Sequence, residues 1–120
     1  MEGRKSAKSF RDLVVWQKAH QLVLAIYSTT KRFPKEEKFG LTSQIRRSTI
    51  SVAANIAEAF KKKSSLDKLR FLNISQGSLS ETEYYLILSQ DLEYGKMNEL
   101  MDKADEVGRI LEAYMNAIRK

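Results

Sequence analysis

Apolar residues recur every three or four positions along most of the chain, the spacing that buries one face of an α-helix. Four such stretches are separated by residues that stop helices. The first spans about Arg11 to Arg32, where Trp16, Ala19, Val23, Ile26 and Thr30 mark one face and Leu13, His20 and Tyr27 widen it. Phe33–Pro34 ends it, because a residue before proline is pushed away from helical dihedrals, and Lys35 to Gly40 reads as a turn. The second spans about Leu41 to Lys62. Leu41, Ile45, Val52, Ile56 and Phe60 form one stripe, and Ile50, Ala53, Ala54 and Ala57 form another beside it. An apolar arc over more than half the helix exceeds what packing on one side requires. This helix is either central or meets another subunit.

Ser64 and Ser65 break the pattern and offer N-cap oxygens, with Asp67 three residues after Ser64 in the manner of a capping box. The third helix is predicted over Leu66 to Tyr94, about 43 Å long at 1.5 Å per residue. Its apolar stripe is Ile74, Ser78, Tyr85, Leu88 and Leu92, and Glu81 falls inside that stripe. Gly95 suits the left-handed position after the last turn. Asn98 is a good N-cap for the fourth helix, in which Leu100, Ala104, Val107, Leu111, Tyr114 and Ile118 keep a seven-residue repeat. The predicted fold is all-α: an antiparallel up-down-up-down four-helix bundle over residues 10–120, preceded by a flexible basic arm at residues 1–9.

Composition narrows the classes further. A chain of 120 residues suits one domain and buries a core without metals or disulfides. One proline and 5 glycines leave little material for the turns of an all-β fold. With no cysteine, thiol chemistry is excluded, and a reducing, cytoplasmic location is expected. The basic start, Met1 to Ser9, has no apolar run behind it, so no signal peptide is expected. No apolar run is long enough to span a membrane. The formal net charge is +6, and it is uneven: residues 1–70 hold 16 Lys/Arg against 6 Asp/Glu, and residues 71–120 hold 5 against 9. A basic half of this kind suits an anionic partner such as nucleic acid.

Catalytic chemistry has little to work with. The single histidine, His20, lacks the partners that a metal site or a histidine-based catalytic set would need. The glycines are scattered and form no phosphate loop. Nothing assembles a nucleophile, a base and an oxyanion hole. Neither a cofactor nor enzyme activity is expected. Glu36 and Glu37 sit in the first turn and support the second helix.

One polar set stands out. Arg47, Ser51, Asn55, Glu58 and Lys62 follow steps of four and three on the second helix, with Gln44 beside them. Glu81, inside its apolar stripe, needs a charged or hydrogen-bonding partner, and Arg46 or Arg47 is a natural one. As a buried network fixing helix register, such a set would cost about 3–5 kcal/mol to break. The same residues could instead hold a small ligand.

The candidate phosphate contacts lie elsewhere. Lys61, Lys62 and Lys63 occupy the corner between the second and third helices, and Lys68 and Arg70 follow. Arg4, Lys5, Lys8 and Arg11 belong to the arm, and Lys31, Arg32, Lys35 and Lys38 surround the first turn. Tyr27, Tyr84, Tyr85 and Tyr94 could stack on bases, although tyrosine at helical spacing more often packs in a core.

Three segments, FRDLVVWQKA, FPKEEKFGLTSQIRRSTISVAANIAEAF and RFLNISQGSLSETEYYL, together resemble the bacterial 23S rRNA intervening-sequence proteins, also called the S23 or four-helix-bundle family. The resemblance covers about Phe10 to Ile118. It is most specific at Phe33-Pro34, Glu37, Leu41, Gln44-Ile45-Arg46-Arg47, Ser51 and Asn55-Ile56-Ala57-Glu58, with Gly77-Ser78 and Glu81 adding to it. Ala59 stands where the family usually has glycine, so the second helix is expected to run on into the lysines. The resemblance implies a four-helix bundle assembled as a homo-pentamer around a channel. It also implies association with structured RNA, since such proteins are encoded within 23S rRNA genes. Similar proteins that serve diversity-generating retroelements bind nucleic acid and a reverse transcriptase.

The expectation is therefore a non-enzymatic, RNA-binding oligomer. The alternative is a scaffold that recruits a protein, such as a reverse transcriptase or ribosomal component, through its acidic half.

Overall fold

The computed structural model describes residues 6–120. Arg4 and Lys5 of the expected arm lie outside them. The described chain forms four α-helices and two short 3-10 turns, with no strand among the described residues. The helices are α1 (Val14–Thr30), α2 (Leu41–Lys61), α3 (Ser65–Asp91) and α4 (Asn98–Arg119). The turns, Phe10–Asp12 and Lys35–Glu37, precede α1 and α2. Each helix packs on its neighbours in sequence, and α4 closes onto α1. That arrangement suits a four-helix bundle.

Part of the expected arm is tied down. The Ser9 hydroxyl accepts the Arg11 N–H at 3.1 Å, while the Asp12 carboxylate accepts the N–H groups of Lys8 at 2.9 Å and Ser9 at 3.2 Å. This capping box starts a turn that delivers Phe10 edge-on to Trp16, with ring centroids 5.1 Å apart. Helix α1 consequently begins at Val14 and not at Arg11.

The buried face of α1 holds Ala19, Val23, Ile26 and Thr30 as expected, and departs from the expected one at Trp16 and His20. Val15, Ala19, Leu22, Val23, Ile26 and Thr30 are buried, whereas Trp16 is half-buried and His20 is exposed. The Trp16 and His20 rings stack on each other at 4.9 Å, one turn apart on the flank of the bundle.

Helix α2 buries Leu41, Ile45, Val52 and Ile56 as expected, but Ile50 and Ala54 of the second stripe face outward. It runs on to Lys61, past Ala59, as the alanine there suggests. Its side toward α3 is built from small and hydroxyl residues. Ser48 meets Thr82 at 2.8 Å, Ser51 meets Ser78 at 2.8 Å, and the Ser75 hydroxyl donates to the Val52 carbonyl at 2.8 Å. As α2 advances, its partners on α3 descend, ending with Lys68 at the carbonyl of Phe60.

Helix α3 carries the largest departure from the sequence pattern. Its buried stripe is Leu72, Ser75, Leu79, Thr82, Leu86 and Ser89. Ile74 and Leu92 are 48% and 46% exposed. Alternate core positions hold hydroxyls that bond to backbone carbonyls or to α2, so the stripe is satisfied without being apolar. At its N-terminus the Ser64 hydroxyl accepts the Asp67 N–H at 3.1 Å, the cap expected there.

The C-terminus of α3 differs from expectation. Glu93, at φ 64°, takes the left-handed position, and the N–H groups of Glu93 and Tyr94 close on the carbonyls of Gln90 and Ser89 at 3.0 and 2.9 Å. This is a Schellman pairing with a non-glycine residue at its left-handed site. Gly95, at φ 140°, serves the following loop. Helix α4 has Met97 at its N-cap position, with Asn98 already inside the first turn. The Met97 N–H is held instead by the Gln90 side chain at 3.0 Å. Leu100, Ala104, Val107 and Leu111 then pack inward as their repeat predicts, with Met115 buried where Tyr114 was expected.

Candidate nucleic-acid interface

The corner between α2 and α3 separates free cations from engaged ones. Lys61 and Lys63 are exposed and make no ion pair among the described residues, and Arg11 is likewise exposed and makes none. Lys62 pairs with Glu58 at 3.4 Å, one turn back on α2, and its ammonium lies 4.8 Å from the centre of the Phe71 ring. Arg70 pairs with Asp67 at 3.0 Å and also borders Phe71.

Lys68 has a different task. Its ammonium donates to the carbonyls of Phe60 at 2.9 Å and Ala59 at 3.3 Å in the last turn of α2, where the Ala59 carbonyl also accepts the Lys62 N–H at 3.1 Å. A side chain committed to capping a helix is not available to a phosphate. Of the six residues read as nucleic-acid contacts, Arg11, Lys61 and Lys63 thus keep an unshared charge.

The polar set on α2 divides into separate groups. Arg47 bonds to Gln44 at 3.0 Å and forms an ion pair with Glu81, whose carboxylate also accepts the Tyr85 hydroxyl at 2.8 Å. The Arg47 and Glu81 side chains are 51% and 35% exposed, so this is a surface pair and not a buried one. Its expected worth falls to below about 1 kcal/mol. Hydrogen bonding to Glu81, more than partial burial, pushes the Tyr85 phenol up from its ordinary pKa.

Asn55 donates to the Ser51 carbonyl at 2.8 Å and to its hydroxyl at 3.0 Å, joining the Ser51–Ser78 contact. Glu58 pairs with Lys62, its neighbour in the set, and reaches no other member of it among the described residues. Arg46 turns the other way, to the Thr30 hydroxyl at 2.9 Å, with its guanidinium 4.3 Å from the centre of the Tyr27 ring. Sequence reasoning missed the innermost members, Ser48 and Thr82; the heptad run Ser75, Thr82 and Ser89 on α3 was the available signal for Thr82, and Ser48 carries no such repeat.

The tyrosines are mostly occupied by protein. Tyr27 receives Arg46, Tyr85 bonds to Glu81, and the Tyr94 hydroxyl donates to Glu37 at 2.7 Å. Tyr84 remains 57% exposed.

Glu37 is a joint of the fold, as its place before α2 suggests. Its second carboxylate oxygen accepts the Leu41 N–H at 2.9 Å, doing the capping that Gly40 cannot. These bonds, the backbone one first and Tyr94 second, lower the Glu37 pKa below its ordinary value.

Helices α3 and α4 border an acidic groove of about 610 Å³ whose lining includes Glu83, Asp105 and Glu112 against the single cation Arg109. Burial, and secondarily the charge of Asp105, push the Glu83 carboxyl above its ordinary pKa. Among the described residues no three His, Cys, Asp or Glu side chains gather as metal ligands, and no helix is long and apolar enough to cross a membrane.

Comparison with known proteins bears on this arrangement. A crystallised protein of unknown function from the S23 ribosomal protein family of Bacteroides thetaiotaomicron superposes with a TM-score of 0.76 at 29% identity, over 85% of this chain and 98% of that one. No curated protein matches the sequence. The 23S rRNA-intervening sequence protein family matches residues 11–113, nearly all of the four helices described above. On that match the chain belongs to the 23S rRNA-intervening sequence protein family.

Proposed function

We propose that this protein is a non-catalytic, oligomeric helical bundle that binds structured RNA through its phosphate backbone. The observation that carries the reading is the set of exposed, unpaired cations Arg11, Lys61 and Lys63 on a chain whose first 70 residues hold 16 basic against 6 acidic side chains. Membership in a family tied by description to 23S rRNA agrees with it. Such an RNA partner implies a cytoplasmic site of action.

The descending register of α2 against α3, together with the short connections, supports antiparallel neighbours in an up-down-up-down order. Self-association into a ring, a homo-pentamer by the family resemblance, is supported by apolar side chains facing outward. Ile50, Ile74, Tyr84 and Ile87 are 43%, 48%, 57% and 50% exposed on α2 and α3.

The test is binding of nuclease-treated protein to a labelled structured RNA across a salt series. Counterion release makes affinity fall steeply with salt when phosphates are contacted. Lys61→Glu/Lys63→Glu is expected to weaken binding at least tenfold while leaving the helical circular dichroism unchanged. A flat salt response, or a charge-reversed protein that binds as well as the parent, would sink the reading.

The second reading, a scaffold for a protein partner, draws on the acidic groove between α3 and α4. A partner retained on the protein after nuclease treatment and released by Asp105→Lys would favour it.

A further inference from the structure

The acidic half of the sequence contributes two cations to a place where the basic half contributes a third. The end of α1 and the start of α4 border a cleft of about 430 Å³ lined by Arg32, Lys96 and Lys103. All three are exposed, and none enters an ion pair among the described residues. Glu99 is the acid on the same wall, so the lining keeps a net positive charge. Ser28 and Asn98 add neutral donors to it.

Gathering three like charges is unfavourable unless an anion joins them. The donor chemistry indicates which anion. A guanidinium fork, two point-charge ammoniums, a hydroxyl and an amide are the groups that proteins use on phosphate oxygens of nucleic-acid backbones. A single carboxylate would leave most of these donors unused, whereas a phosphate offers more oxygens and, as a diester linkage in a chain, a neighbour for the third cation.

We propose that this cleft is a phosphate-binding site, with Arg32 as the bidentate contact and Lys96 and Lys103 flanking it. The site lies at the end of the bundle away from Lys61 and Lys63. The inference rests on the RNA-binding reading only for the source of the phosphate, which is either an RNA backbone or a free phosphate compound.

The experiment compares the parent protein, Arg32→Gln/Lys96→Gln/Lys103→Gln, and Ser28→Glu, which places an acid in the cleft should the triple variant fold poorly. Arg109→Gln is the charge control, because that cation is already paired with Asp105. Each is titrated with labelled structured RNA across a salt series, and separately with inorganic pyrophosphate followed by backbone amide chemical shifts. The triple variant and Ser28→Glu are expected to bind RNA at least tenfold more weakly. The triple variant's salt slope should also be shallower by about 0.7–0.9 for each phosphate it no longer neutralises. Arg109→Gln should match the parent.

RNA binding as tight in both cleft variants as in the parent would overturn the site. If the parent binds no RNA at low salt, the RNA reading falls, and pyrophosphate decides the site alone. Shifts centred on Arg32 and Lys96 that vanish in the variants would support it with a free phosphate as ligand, and no shifts would overturn it.

Discussion

Thr49 lies fully buried in α2, and its hydroxyl has no hydrogen-bond partner among the described residues. Leaving such a group dry costs about 1–3 kcal/mol. Thr49→Val keeps the branched shape and removes the stranded hydroxyl, so it is expected to stabilise the protein by roughly 1 kcal/mol; urea unfolding with an unchanged m-value would show it. A loss of stability would mean the hydroxyl finds a partner in solution. Glu37 acts in the opposite sense, since its carboxylate is satisfied twice. Its folded pKa is lowered, so its contribution is present above the ordinary carboxylate pKa and is lost as pH falls through the folded value. Glu37→Gln should therefore be less stable than the parent at neutral pH, with the difference shrinking on acidification. Parallel pH–stability curves for the two proteins would refute that account. Caps formed by adjacent residues, such as Ser64 with Asp67, are legible in sequence because donor and acceptor lie within one turn. Glu93 in a left-handed conformation is not, because glycine stands two residues on at Gly95 and presents the stronger local signal.

At the scale of elements, all four helices are readable from the spacing of apolar residues, yet the inward face of α3 is not. Periodicity detects contrast between apolar and polar positions, and Ser75, Thr82 and Ser89 erase it by putting hydroxyls in the core. Ile74 and Leu92, apolar and outward, then draw the apparent stripe to the wrong side. A hydroxyl that bonds within its own helix or across to α2 loses little on burial, and its small volume lets the two helices approach. This has a consequence that pattern alone would reverse. Ser75→Leu completes an ideal apolar heptad, but the site is fully buried and its hydroxyl already contacts the Val52 carbonyl. Overpacking there is expected to cost about 1–3 kcal/mol, more than Ser75→Ala, which loses one net hydrogen bond of about 1 kcal/mol. Thermal unfolding of the two variants orders them; a Ser75→Leu protein more stable than Ser75→Ala would show that α2 and α3 have room to separate. The candidate site was legible to a similar degree. Clustering of lysines pointed to the α2–α3 corner, but no sequence rule says that Lys68 turns back onto the α2 carbonyls or that Lys96 and Lys103 meet Arg32.

For the whole molecule, the proposed RNA binding raises the question of how a few cations per chain would hold RNA at working ionic strength. The bundle measures 45 × 23 × 20 Å, and its exposed cations without an ion pair among the described residues include Lys61 and Lys63 at the α2–α3 corner and Arg32, Lys96 and Lys103 around one cleft. Two or three phosphate contacts give weak, salt-sensitive binding. In the proposed ring, repeating each group would turn later contacts into intramolecular events, which raises avidity without any new chemistry. Affinity and assembly should then fall together. Ile50→Asp/Ile74→Asp places charge on outward-facing apolar positions that do not build the core, so the fold should survive. Light scattering is expected to report a mass near 13.8 kDa for this variant against a multiple of it for the parent. Its RNA affinity should drop by at least tenfold and its salt slope should flatten, although every candidate cation is still present. A variant that is monomeric and binds as tightly as the parent would show that one subunit suffices, and a parent that is itself monomeric would remove the ring from the account of binding.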